Sequence, residues 1–467
     1  MKIVVFKMMD TREAEDTEQS TAERKLWDDT INLVLSGIGT LYSNYFDTFS
    51  QQTDFRNTWA VFIRYLEGLL TRRSFEVNTT VFKVLGSVLE KVGGPEKLDS
   101  GSKEEVWRMW SSQGVNLVEN IIEGTRSGIQ DTLTAFVDAF KPLYRLLEPT
   151  IDAQVIQNTL DIFHDCISYP DSPAYFQDTE ILTPLQAAIL NSMQIVRTDI
   201  PQVPTLMLKS LSHFSTIAYH ADELPPPKNP KQVRPSYIAL AVFSMKQMEH
   251  VSLSHAQLHS IYTGGALQEV LRSLKVPISL KYDFCPQNGG KKSFGLWRNA
   301  TNHALAILRV TLPAMEKIEI QHQGPIWEQV ADLVSSVVYV KSRRLGDLAT
   351  AEADEAFDID AFAKFRALII PSLGRPVVPE NAIIKYVLNV YSASLLYKVD
   401  ADSRKLPANL DAMKLVGAGS TSELELQRRR KMSYVCIDEL MNLSRIAVGG
   451  KYSTSRKVYW ILFFSLY

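Results

Sequence analysis

Cysteine is scarce in this sequence, whose 467 residues contain only three. Cys166, Cys285 and Cys436 are too few and too widely spaced for a disulfide framework, so they fit a reducing compartment. Glycine and proline are also sparse, at 22 and 21 residues, which excludes collagen-like and low-complexity chains. These absences leave an ordinary globular chain as the expectation.

Long apolar runs are missing as well. The longest, residues 237–243 and 458–464, reach about a third of the length that spans a membrane. The N-terminal segment lacks the longer apolar core and the small-residue cleavage site of a secretory signal. We therefore expect a cytosolic protein.

The sequence has no excess charge of one sign, because 50 Lys and Arg residues oppose 52 Asp and Glu residues, a net charge of −2. A near-neutral chain has no global electrostatic reason to hold nucleic acid or an anionic membrane. We expect no nucleic-acid partner, and any membrane contact would need a local patch.

Helical periodicity is the dominant positive signal. Asp54 is a good N-cap, and apolar residues recur every three to four positions over 55–70. Ser74 can cap a second such helix, which Gly93-Gly94-Pro95 ends. The pair spans about 40 residues, the length of one HEAT or armadillo unit. Similar patterns recur along the chain, so the predicted fold is all-α, a HEAT/armadillo-like helical repeat solenoid (α-α superhelix).

Composition shifts suggest how the chain is divided. The predicted parts are a poorly ordered N-terminus at 1–20, HEAT-like repeats at 21–222, a proline-rich connector at 223–235, a second set of repeats at 236–446, and an atypical basic and aromatic tail at 447–467. Within the second set, Pro277, Pro286 and an alternating apolar pattern predict an extended segment at 274–287. Acidic residues predict a loop at 346–358 that leads into a helix.

Histidines and glycines form no convincing catalytic or metal motif. His255 and His259 are four apart and would share a helix face near His250, but no Glu follows His255, so we predict a partly exposed helix face. The glycines at 289–293 and 417–420 lack the preceding strand and the spacing of nucleotide loops. No cofactor, metal or small-molecule substrate is expected.

Two further groups of residues have side chains that could be catalytic or bind a metal ion. Cys166 and His164 are two apart on a predicted helix and point to different faces, so Cys166 is predicted to be core. Asp354, Glu355, Asp358 and Asp360 lack the glycine and alternating ligands of a calcium loop. We interpret them as a solvated helix start, where the positive end of the helix dipole favours carboxylates.

The candidate contact residues lie near the C-terminus. Arg428, Arg429, Arg430 and Lys431 form the strongest basic run, which suits either a solvated surface or an import or acidic-membrane patch. The tail contains Trp460, Phe463 and Phe464. These aromatic residues would insert shallowly into a membrane, pack on the last helix, or reflect how the end of the chain was defined.

Three segments resemble the C-terminal part of the monensin-sensitivity (Mon-Two) family. They are Trp59–Val92, then Leu274–Pro286 with Leu296-Trp297, and finally Ile326-Trp327 and Asp354–Asp360 combined with Tyr434–Leu440. Leu274–Pro286 is the most distinctive, because a proline-containing extended segment is unusual between generic HEAT helices. The resemblance covers roughly residues 27–446, and no catalytic motif anchors it.

The resemblance implies a cytoplasmic α-helical scaffold bound peripherally to trans-Golgi and endosomal membranes. It implies partnership with a Dopey-family protein, an aminophospholipid flippase and an Arf-like GTPase in transport between Golgi, endosomes and vacuole. The family is related to large Arf guanine-nucleotide exchange factors, and the catalytic exchange domain is not visible in this sequence. We therefore expect a non-enzymatic trafficking scaffold. Two alternatives stay open, a regulator of an Arf-like GTPase and a nuclear-transport adaptor.

Overall fold

The helices of the computed structural model begin and end where capping chemistry dictates. The structure describes residues 18–71, 74–122, 129–168, 181–221, 224, 233–281, 295–339, 348–373, 378–403 and 430–448. The Ser74 side chain accepts a hydrogen bond from Val77 N, and Gly93 ends the same helix with a φ of +77° that favours glycine. Thr183 and Gln186 form a reciprocal capping box around Pro184.

The described elements are helices, which fall into two compact units by their contacts. The first unit contains α1 (Glu18–Ser50), α2 (Phe55–Leu70), α3 (Phe75–Val92), α4 (Ser100–Ile122), α5 (Ile129–Asp138), α6 (Phe140–Leu147), α7 (Ala153–Ile167) and α8 (Pro184–Gln194). The second contains α9 (Val203–His220), α10 (Ile238–Ser254), α11 (His259–Thr263), α12 (Ala266–Ser279), α13 (Leu296–Met315), α14 (Ile320–Val338), α15 (Leu348–Leu373), α16 (Glu380–Ser403) and α17 (Arg430–Val448).

Each unit stacks its helices in two layers. In the first unit, α1, α3, α5 and α8 pack side by side in one layer, and α2, α4 and α7 form the other. In the second unit, α9, α12, α14 and α16 form one layer, and α10, α13 and α15 form the other. Apart from the short helices α6 and α11, successive helices of these layers therefore alternate within each unit, which is the arrangement of helical repeats. The predicted fold class, an all-α HEAT/armadillo-like solenoid, is confirmed.

Apolar side chains fill the space between the layers. Trp59, Phe82, Phe136 and Phe163 are completely buried in the first unit. The Trp110 ring stacks on Phe136 with centroids 4.6 Å apart. Cys166 is buried, as predicted, and burial raises the pKa of its thiol.

Charged residues also join neighbouring helices of one layer in the second unit. Asp332 on α14 lies 3.4 Å from the Lys275 ammonium on α12 and 2.6 Å from the Lys385 ammonium on α16. The carboxylate therefore bridges three adjacent helices, and it is only 23% exposed, so water screens these pairs incompletely.

The expected extended segment at 274–287 is wrong in its first part, because residues 274–279 complete helix α12. Val270, Leu271, Leu274 and Ile278 are buried at helical spacing. Pro277 stands in the last turn, where its missing N–H removes one backbone hydrogen bond, and the helix ends two residues later at Ser279. Residues 282–287 lie outside the described residues.

Two further boundaries differ from the expectation. The loop expected at 346–358 is helical from Leu348, because its acidic residues find buried partners. Helix α9, expected in the first set of repeats, packs on α10 and α12 of the second unit, so the division precedes it. Most of the expected termini and of the proline-rich connector, residues 1–17, 225–232 and 449–467, lies outside the described residues.

Candidate functional site

The predicted contact residues are only partly described. Lys431 is exposed in the first turn of α17, and Arg430 is the first residue of that helix. Arg428, Arg429, Trp460, Phe463 and Phe464 lie outside the described residues. Their roles in membrane or partner contact stay predictions.

A buried charge cluster lies instead in the second unit, and we call it the Lys281 cluster. It consists of Lys281, Trp297, Arg298, Asp354 and Asp358. Lys281 follows α12 directly, and its ammonium pairs with the Asp358 carboxylate on α15 although both side chains are at most 2% exposed. The ammonium also lies 3.4 Å from the centroid of the Trp297 ring on α13, a cation–π contact.

Arg298 forms the outer part of the Lys281 cluster. Its guanidinium lies 2.5 Å from Asp354 Oδ1 on α15. The same guanidinium is 5.2 Å from the ring centroids of Trp297 and Phe357. Those two rings meet edge to face at 5.0 Å. Lys281 and Arg298 therefore pair with Asp358 and Asp354, two carboxylates that stand one helical turn apart on α15.

Glu355, between those carboxylates, points to another helix. Its Oε1 accepts a hydrogen bond of 2.9 Å from the backbone N–H of Met432 in the first turn of α17. A carboxylate is favourable there, because the first N–H groups of a helix have no partner within it. Glu355 thus caps α17 from a buried position.

The interpretation of the acidic residues as a solvated helix start is wrong for three of the four. Asp354, Glu355 and Asp358 are buried, and only Asp360 is exposed, where it pairs with Lys364. The helix begins at Leu348, well before them. Paired cations and a capped N–H offset the cost of removing these carboxylates from water.

A second buried polar group joins α15, α16 and α17. Arg366 Nε lies 2.5 Å from Glu439 Oε2, and the Tyr386 hydroxyl donates a 3.1 Å hydrogen bond to Oε1. Glu439 is fully buried, and burial raises the pKa of its carboxyl against the opposing effect of Arg366. Burial and the nearby carboxylate also raise the pKa of Tyr386.

These groups form ionic contacts between helices of the second unit. Each cation of the Lys281 cluster meets a carboxylate, so the arrangement joins helices. Within the part of the chain that the structure describes, no three His, Cys, Asp or Glu residues are placed to hold a metal ion. The predicted shared face of His255 and His259 is wrong, because His255 ends α10 and His259 begins α11.

The surface of the first unit has one groove of note, between α3 and the α5–α6 pair. Its volume is about 440 Å³, and its floor includes Gly86, Ala135 and Ala139. Asp131 and Asp138 lie on one wall, and both are exposed to solvent. The partial burial of the Asp138 carboxyl raises its pKa. A shallow groove with a charged rim suits a protein segment better than an apolar small molecule.

Most of the segments that carried the family resemblance converge on these buried groups. Leu274–Pro286 contributes Lys281, and Leu296-Trp297 supplies the aromatic ring beneath it. Asp354–Asp360 contributes the carboxylates, and Tyr434–Leu440 contributes Glu439. Those segments therefore lie where helices of the second unit are joined by buried charge.

Known proteins of one name are similar to most of this chain. The chain is 21% identical to Protein MON2 of Saccharomyces cerevisiae over 447 residues, which cover 91% of this chain and 27% of that protein. This chain is similar to the Mon2 proteins over most of its own length. It is also 20% identical to Protein MON2 homolog of Xenopus laevis and 20% identical to that of Homo sapiens, again over 91% of the chain.

The predicted resemblance to the Mon2 family is thus confirmed. The chain spans about a quarter of the length of these relatives, 27% or 28%. No protein-family model matches the chain, and no solved structure matches it. Among the helices that the structure describes, none combines the length and apolar character needed to cross a membrane.

Proposed function

We propose that this chain is a non-enzymatic scaffold of vesicle-mediated protein transport between Golgi and endosomes or vacuole. It binds a Dopey-type protein, and with it an aminophospholipid flippase and an Arf-like GTPase, through the surface of its helical repeats. It acts in the cytoplasm, peripherally on trans-Golgi and endosomal membranes.

The observation that carries this proposal is similarity to Mon2 proteins over nine tenths of the chain. The fold supports it, since stacked helices give an extended surface that suits macromolecules. The buried polar groups support it as well, because they join neighbouring helices of the repeats. The step from architecture to function is made by analogy with this family.

The test of partnership is affinity purification of the tagged full chain from its own cells, with mass-spectrometric identification of the bound proteins. The control bait carries Asp131→Lys and Asp138→Lys, which reverse the charge of one groove wall at exposed positions. Recovery of a Dopey-type protein by the unchanged chain supports the scaffold. Loss of that protein with the control bait places its contact at the groove.

Other recovered proteins would contradict the proposal. Importins or nucleoporins would favour a nuclear-transport adaptor. Chaperones alone would mean that this chain does not carry the partner contact. Faster nucleotide release from an Arf-like GTPase on addition of the purified chain would favour an exchange-factor-related regulator over a passive scaffold.

Membrane contact is tested separately with anionic vesicles. We expect replacement of Arg428, Arg429, Arg430 and Lys431 by Gln to reduce flotation at least tenfold, since each basic residue near an anionic surface contributes about 1 kcal/mol. The matched control replaces four exposed lysines elsewhere by Gln: Lys83, Lys91, Lys141 and Lys209. Equal losses in both variants would show that net charge, and not the basic run, drives flotation.

A further inference from the structure

The groove between α3 and the α5–α6 pair lies above a packed core. The buried rings of Phe82 and Phe136 join α3 to α5 edge to face, with centroids 5.2 Å apart. The floor of the groove is made of small residues, Gly86, Ala135 and Ala139. A Cβ added to Gly86 would lie 3.5 Å from Ala139 Cα, which is an ordinary contact distance. The groove is therefore a shaped indentation and not a fault in the packing.

Small residues on the floor decide which shape fits the groove. Packed helix axes lie about 8–10 Å apart, and the shorter distance needs small side chains at the contact. A third helix can therefore lie between α3 and α5, as amphipathic helices do in the apolar grooves of recognition proteins. The volume of about 440 Å³ is within the range of binding clefts.

The α5 wall of the groove carries two carboxylates without partners. Among the residues that the structure describes, none forms an ion pair or a hydrogen bond with the side chain of Asp131 or Asp138. Burial raises the pKa of Asp138, because its charged form is partly removed from water. No cation of the described chain offsets that cost, so a cation supplied by another molecule would.

The lysines that line the groove are not paired with these carboxylates. Lys83 lies on α3, and Lys141 lies in the first turn of α6; both are exposed. Glu90, on the α3 wall, lies 3.0 Å from Arg145, which offsets its charge. The α5 wall is therefore negative and the α3 wall is positive. An occupant places its cations along α5, because Lys83 repels cations that lie along α3.

The spacing of the two carboxylates defines the spacing of the cations. Asp131 and Asp138 are seven residues apart on one helix, which places them about 10.5 Å apart along its axis and about 20° apart around it. A partner helix that lies beside α5 repeats this geometry when its basic residues are also seven apart. Basic residues at positions i and i+7 therefore meet both carboxylates at once.

We propose that this groove docks a helix of a partner protein that carries Lys or Arg at positions i and i+7. The two cations pair with Asp131 and Asp138, and the small floor residues accept the side chains between them. Ion pairs at such exposed positions contribute modestly, so close packing over the floor supplies the rest of the affinity. The proposal concerns the chemistry of the occupant and does not depend on the trafficking role.

The test selects binders of the immobilised full chain from a phage-displayed library of helical peptides. Synthetic, fluorescein-labelled versions of the enriched peptides are then titrated with the chain by fluorescence anisotropy. We expect enrichment of basic residues seven apart. The dissociation constant should rise about tenfold for the double variant Asp131→Asn with Asp138→Asn, because both ion pairs are lost. The matched double variant Asp161→Asn with Asp165→Asn, exposed on α7, should leave it unchanged.

Further variants check the opposite wall and the floor. Lys83→Gln should lower the dissociation constant about twofold, because it removes the opposing charge. Lys91→Gln, exposed on the same helix but outside the groove lining, should not change it. Gly86→Leu should abolish binding, because the added side chain occupies the groove above the floor. Circular dichroism confirms that each variant is folded.

Enriched peptides that lack the basic pair would overturn the proposal, and so would peptides that bind the Asp131 and Asp138 double variant as tightly as the parent chain. A library that yields no binder would overturn it as well. Peptide binding that weakens as the concentration of the chain rises would overturn it in favour of a second copy as the occupant. No cellular partner enters this test, so its failure is distinguishable from failure of the proposed function.

Discussion

Lys281 and Asp358 are ionisable residues whose side chains are almost completely buried. Each residue needs the charge of the other to be tolerated there. Taking either charge out of water alone costs several kcal/mol, and the other charge together with the Trp297 ring offsets that cost. Removing one member of the pair therefore destabilises the fold, because it leaves the other charge buried, even though the intact pair adds little net stability.

We expect Lys281→Met to lower the free energy of unfolding of the second unit by about 3–5 kcal/mol, because Asp358 is left without its cation. The double variant Lys281→Met with Asp358→Leu should lose less than the single one, since no lone buried charge remains. Urea denaturation followed by circular dichroism measures both. A double variant as unstable as the sum of two singles would contradict this account.

Glu439 should make stability depend on pH. Its pKa is raised by burial above the ordinary 4.5, so the folded chain holds a proton that the unfolded chain has lost. The free energy of unfolding should therefore fall as pH rises from about 4.5 to the raised pKa, and level off above it. Glu439→Gln should remove this slope, as measured by urea denaturation across pH.

Tyr386→Phe is the control for that titration. It keeps the carboxyl group and removes only the hydroxyl that donates to it. The slope should persist in this variant, because the buried carboxyl still titrates. A slope that persists equally in Glu439→Gln would assign the pH dependence to another group.

The sequence could not reveal these buried charges. Lys281 and Asp358 are 77 positions apart, as are Glu355 and Met432. Acidic residues near a predicted helix start are usually solvated, and only the packing of α13 and α17 on α15 overrides that expectation. Cys166 was predictable, because its apolar neighbours recur at helical spacing on the same element.

Among the helices, the approach of α1 to α3 depends on the absence of a side chain. A Cβ placed on Gly39 would lie 2.8 Å from Val84 Cγ1, closer than carbon atoms pack. Gly37, two residues earlier on the opposite side of α1, has open space around it. The two glycines therefore form a matched pair with opposite expectations.

We expect Gly39→Leu to lower the free energy of unfolding of the first unit by about 1–3 kcal/mol, because the added atoms force α1 away from α3. Gly37→Ala should raise it by about 0.5–1 kcal/mol, because alanine is the better helix former. Thermal unfolding compares the two variants with the parent chain. Changes of the same sign would mean that helix propensity, and not spacing, decides both.

Helix boundaries were predictable where a capping residue stands directly before apolar residues at helical spacing, as at Ser74 and Thr183. They failed where local composition opposed tertiary packing. Pro277 and the acidic stretch before Asp360 both suggested irregular backbone, yet buried faces on α12 and α15 keep these residues helical.

At the scale of the whole molecule, the repeated two-helix pattern made the fold class predictable, although the sequence has no recognisable catalytic motif. Helices alternate between two layers within each unit, so one correctly interpreted pair, residues 54–92, indicates the architecture of the rest. The division of the chain was less predictable. It depends on the packing of α9 on α10 and α12, which come later in the chain, and local sequence does not encode that packing.

The Lys281 cluster has one more consequence, for where the chain can accept added residues. Lys281 and Arg298 bring the two ends of the intervening segment, residues 282–294, to neighbouring turns of α15. The distance between those ends is fixed by the helices and not by the segment. Insertions there leave the packing intact, and each doubling of the segment costs only about 0.6 kcal/mol of closure entropy. Residues can therefore be added between 282 and 294 while Lys281 and Arg298, paired with Asp358 and Asp354, stay constrained.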